Sequence, residues 1–181
     1  DQTGERWDFG RFTSRVRGVG EVLGQFPVSC LAEEILTPGA GRIRALITVA
    51  GNPAVSAPGA GRLQEALASL DALICLDNWL NETTRHAHVI LPGLSPLERS
   101  HADDLYWMYA LSSCLKWSDP VFPPHAGRPA EWEVLLRRSG AVLGTPVPDV
   151  DVTAMDDLYV GGLVATMCAL PDTPLTGCDA A

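Results

Sequence analysis

Apolar and polar positions along the chain follow two alternating rhythms. Residues 28–36, VSCLAEEIL, carry apolar side chains at helical spacing and stop at the breaker cluster Thr37-Pro38-Gly39. Residues 43–50 are nearly continuously aliphatic, the pattern of a strand covered on both faces, and Gly51-Asn52-Pro53 ends them. Residues 59–70, GAGRLQEALASL, place Leu63, Ala66, Leu67 and Leu70 on one helical face. A second strand over 72–76 closes at Asp77. A helical turn over 82–86 and a third strand, Val89-Ile90-Leu91, follow.

The order helix, strand, turn, helix, strand is that of a βαβ unit, a right-handed crossover between parallel strands. Further on, residues 105–117 offer one or two more strands, and the Pro-rich 118–129 reads as a loop. Residues 130–143 form an amphipathic helix with Trp132, Leu135, Leu136, Val142 and Leu143 facing inward. Residues 151–170 read as a weaker helix around Gly161-Gly162, and 171–181 as a frayed tail. The expected fold class is α/β, a three-layer, mostly parallel sheet of Rossmann-like type. The expected divisions are a loose lead-in over 1–27, the α/β domain over 28–145, and a helical extension and tail over 146–181.

Composition narrows the function classes. With 46% hydrophobic residues among 181 the chain has enough apolar material for a core. The formal charge is −9, with 22 acidic side chains against 13 Lys and Arg, which argues against broad contact with a nucleic-acid backbone. Five cysteines, none in a CxxC pair, suggest neither a zinc ribbon nor a disulfide framework. No apolar run reaches the roughly 18 residues of a membrane span, so no membrane segment is expected, and a cytoplasmic location is.

Candidate chemistry concentrates where strands end, because ligands of open α/β sheets lie beyond the carboxyl ends of the strands. Gly51 permits close backbone approach and Asn52 offers a donor and an acceptor, although the same residues also suit a plain tight turn. Asp77 can hold ribose hydroxyls or the N–H edge of a guanine, or it can cap the turn that follows. Neither GxGxxG nor a GxxxxGK[ST] loop is present, so NAD, FAD and a phosphate loop are unsupported. His86 and His88 are two apart, but two ligands do not fix a metal geometry, and no metal residue is assigned. No GxSxG motif points to a nucleophile, and no catalytic residue is assigned.

GRIRALITVAGNPAVSAP, LDALICLDNWLNETTRHAHVILP, SPLERSH and EWEVLLRRSG, in that order, resemble the molybdopterin oxidoreductases of the dimethyl sulfoxide reductase family, which includes formate dehydrogenases and nitrate reductases. The resemblance covers residues 15–145. It implies a fragment of a larger molybdenum or tungsten oxidoreductase, formate dehydrogenase-like, inactive alone, whose 28–145 domain holds the guanosine arm of a molybdopterin guanine dinucleotide. Gly51, Asn52, Asp77, Asn81 and Arg99 are the cofactor-binding residues it implies, with Glu131 a weaker match. The partners it implies are the remaining domains of the same enzyme and electron-transfer subunits. In two places the chain departs from the family pattern: His88 stands where relatives carry Asp, and Glu98-Arg99-Ser100-His101 where they carry Glu-x-x-Gly. The alternative is a stand-alone nucleotide-binding or protein-interaction module without redox activity.

Overall fold

A computed structural model describes residues 9–103, 111 and 116–169. The chain forms two compact units, residues 1–93 and 94–181.

The first unit is α/β. Three parallel strands, β1 (Ala45–Val49), β2 (Ala72–Leu76) and β3 (Val89–Leu91), lie in the order β1-β2-β3. The register pairs Leu46 with Leu73 and Thr48 with Cys75, and on the other side Cys75 with Ile90. Helices α1 (Leu31–Leu36), α2 (Pro53–Ser56) and α3 (Ala60–Ala68) connect and cover the sheet. The apolar stripe read from the sequence of α3 is the buried one: Leu63, Ala66 and Leu67 pack with Ile35 of α1 and with Leu73 and Cys75 of β2. The crossover from β2 to β3 contains only a one-turn 3-10 helix, Thr84–His86. This matches the turn expected there.

Residues 9–27 are not the loose lead-in the sequence suggested. The Glu21 side chain, 1% exposed, accepts hydrogen bonds from Arg11 Nε (2.7 Å) and from the Gly24 amide (2.7 Å). Arg15 reaches the carbonyl of Thr37 at 2.8 Å and so ties this segment to the end of α1. Polar side chains far apart in sequence do this, and hydrophobic periodicity is blind to them.

The second unit contains an antiparallel pair, β4 (His101–Asp103) with β5 (Lys116–Ser118), and helices α4 (Glu131–Val142) and α5 (Val152–Ala169). Strand β5 takes up the end of the 105–117 expectation. Most of that stretch, like the 171–181 tail, lies outside the described residues. Helix α4 turns differently from its apolar pattern: Trp132, Leu135, Val142 and Leu143 are exposed, and the buried position is Gly140, packed on Val150. Helix α5 runs through Gly161-Gly162 without a break. Among the described residues no helix is long and apolar enough to cross a membrane.

Candidate functional site

All three parallel strands of the first unit end at the same edge, and the loops after β1 and β2 interlock there. Asn52 precedes helix α2 at the capping position, yet its side chain caps nothing in that helix. The Thr83 hydroxyl does so instead, accepting from the Ala54 amide at 3.0 Å while donating to Asn52 Oδ1 at 2.7 Å. The Thr83 amide also donates to Asn52 Oδ1 (3.2 Å). The carboxamide of Asn52 is thereby fixed with Nδ2 turned outward, where it donates to Glu82 Oε2 at 2.7 Å. This amide bond holds the Glu82 carboxyl below the usual carboxylate range.

The β2 end is built the same way. Asp77 Oδ1 accepts from the Trp79 amide (2.9 Å) and Oδ2 from Asn81 Nδ2 (2.9 Å). Asn81 Oδ1 accepts from the amides of Thr83 (3.0 Å) and Thr84 (2.9 Å), and Thr84 Oγ1 accepts in return from the Asn81 amide (2.7 Å). Asn81 and Thr84 form a reciprocal capping box for the turn that follows. Both threonines are buried, at 0% and 1% exposure. One continuous network therefore runs Asn52–Thr83–Asn81–Asp77. Asp77 performs the capping-type role set against ligand binding in the sequence. Each carboxylate oxygen still has a lone pair to offer, because each accepts a single bond here.

Strain marks the β1 end. Ala50, not Gly51, takes the left-handed conformation, with φ at +48°. That conformation costs a non-glycine residue about 1 kcal/mol. A Cβ placed on Gly51 would meet only the Val49 carbonyl oxygen at 3.6 Å and Pro53 Cδ at 3.9 Å, ordinary contacts.

Gly51, Asn52, Asp77 and Asn81 are thus brought to one edge. Arg99 belongs to the second unit. It borders a cavity of about 480 Å³, and its guanidinium is paired with Glu131 at 2.6 Å. Thr83 and Thr84 were not singled out from the sequence. The only cue was the i, i+3 spacing of Asn81 and Thr84.

His88 takes part in the pairing of the strands. His88 Nδ1 accepts from the Leu73 amide at 3.0 Å, and the His88 amide donates to the Leu73 carbonyl at 2.8 Å, so the side chain extends the pairing of β2 and β3. An imidazole nitrogen and a carboxylate oxygen can each accept a hydrogen bond, which explains how a histidine fits this position. No three His, Cys, Asp or Glu side chains among the described residues converge as a ligand set. Cys75, in the core behind Asp77, has its thiol pushed up by burial, with the Asp77 charge adding to the effect.

Comparison with known proteins gives a family. The model of the molybdopterin oxidoreductases matches residues 7–135. The assimilatory nitrate reductase catalytic subunit of Bacillus subtilis is 41% identical over 58 residues, which cover 32% of this chain and 8% of that protein. The F420-dependent formate dehydrogenase 1 subunit alpha of Methanococcus maripaludis is 36% identical over 66 residues, 36% of this chain and 10% of that protein. The chain thus aligns with about a tenth of the length of these relatives.

Proposed function

The chain belongs to the molybdopterin oxidoreductase family, and on that footing we propose that it holds the guanosine arm of a molybdopterin guanine dinucleotide, as a piece of a larger oxidoreductase of formate dehydrogenase-like type. The Asn52–Thr83–Asn81–Asp77 network carries this reading. It sets an oriented carboxylate and an outward amide donor at the ligand-binding edge of a parallel sheet.

The donor set fits the group. Guanine presents two adjacent N–H donors, which one carboxylate can accept as a pair, whereas adenine presents a donor beside an acceptor. Asp77 supplies that carboxylate and Asn81 steers it. Asn52 Nδ2 keeps one N–H for a ligand oxygen, and Gly51 keeps the adjoining backbone free of a side chain. Arg99 remains in the proposed set with its charge already paired to Glu131. When bound, the metal and pterin supply the redox chemistry. The residues here bind and orient. The proposal carries with it the remaining domains and electron-transfer subunits as partners, and a cytoplasmic setting.

The test is thermal. GDP should raise the melting temperature of the chain more than ADP does at equal concentration, and Asp77→Asn should abolish that preference, because an amide offers guanine one acceptor and one clashing donor. Equal stabilisation by the two nucleotides would sink the assignment.

A further inference from the structure

The loop after β2 carries an indole that packing does not explain. Trp79 is 77% exposed, and its neighbour Leu80 is 79% exposed. Tryptophan is ordinarily well buried, so an indole left in water at a strand end calls for a reason. The backbone beneath it is unusually well fixed. Its amide donates to Asp77 Oδ1 at 2.9 Å, and its carbonyl accepts from Thr84 Oγ1 at 3.0 Å, a hydroxyl that is itself buried. The loop is therefore held in place while the ring stays free, with the Asp77 carboxylate two residues away on the same turn.

We propose that Trp79 is a stacking residue for a purine base whose edge Asp77 accepts, so that this one turn reads both the edge and the face of the ring. The inference deepens the proposed function and rests on it: the carboxylate selects guanine by its N–H donors, and the indole adds affinity that any planar base would gain. Aromatic stacking of a base is largely indifferent to its identity, whereas the carboxylate pair is not. The two residues thus divide the work, Trp79 setting how tightly a nucleotide is held and Asp77 which one.

Titrations of the chain with GDP and with ADP, followed by calorimetry and by tryptophan emission, separate these roles. Stacking predicts that GDP quenches emission, that Trp79→Ala weakens GDP and ADP alike by about tenfold, and that Trp79→Phe stays within about threefold of the original chain. Because the ring is exposed, both variants should keep the urea midpoint of the parent, which shows that the fold is intact. Trp79→Ala binding GDP as tightly as the parent overturns the stacking role and leaves the proposed function standing. Equal loss in Trp79→Ala and Trp79→Phe also overturns it, since the phenyl ring should rescue. If the parent chain binds no GDP by calorimetry, the proposed function falls and this inference with it.

Discussion

Thr83 does for Asn52 what a capping residue ordinarily does for itself. Because the threonine hydroxyl takes the Ala54 amide, the asparagine carboxamide is released from the helix and turned outward. Thr83→Val keeps the shape and removes the hydroxyl, leaving the buried Ala54 amide without its partner and Asn52 Oδ1 with the Thr83 amide alone. The expected cost is about 2 kcal/mol, read as a lower urea midpoint, together with weaker GDP binding. Thr83→Ser keeps the hydroxyl and should recover most of both; a Val variant as stable as the parent would contradict this role. At this scale the sequence was half legible. Asn52 and Asp77 could be found because a hydrophobic run stops at each of them. Thr83 and Thr84 could not, since a polar side chain buried inside a loop leaves no trace in apolar spacing. The positive φ falls at Ala50, one residue before the glycine that the sequence marked for close backbone approach.

Among the elements, strands and helices of the first unit were legible because each has one dominant rhythm. Helix α4 was legible as a helix over 130–143, but its buried face was not, because apolar residues occur around much of it and the decisive contact is made by a residue with no side chain. At Gly140 an added Cβ would stand 2.6 Å from Val150 Cγ2 and 3.1 Å from its Cγ1. Val150 is 5% exposed and β-branched, so it has no easy rotamer to retreat into. Alanine would gain about 1 kcal/mol in helix propensity, but overpacking of this kind costs roughly 1–3 kcal/mol, and the clash should win. Gly140→Ala is therefore expected to lower the melting temperature, and Gly140→Ala with Val150→Ala to recover part of the loss. A stabilised single variant would show that α4 and Val150 are not packed as described.

For the whole molecule the excess of acid, −9 in formal charge, makes pH the natural variable. Glu21 is held below the usual carboxylate range, first by Arg11 and then by the Gly24 amide. A carboxyl depressed in the folded state contributes stability above its unfolded value of about 4.3, and that contribution is lost as pH falls through the folded value. Glu21→Gln should therefore lower the urea midpoint at neutral pH, and the gap should close as the pH is brought below about 4. A gap independent of pH would assign the effect to packing rather than charge. Long-range pairs such as Arg11 with Glu21 and Arg15 with Glu34 also explain why the sequence made residues 9–27 look looser than they are.

One feature of the strand-end loops reaches further than its hydrogen bonds. Thr83 belongs to the segment after β2, but it caps the start of the helix that begins after β1. Neither loop can swing away without stripping a buried donor or acceptor in the other, so excursions of the two are a single thermal event with a shared barrier. Thermal noise in the loop after β1 is thus shared with the loop after β2, and a molecule settling on either one quiets both.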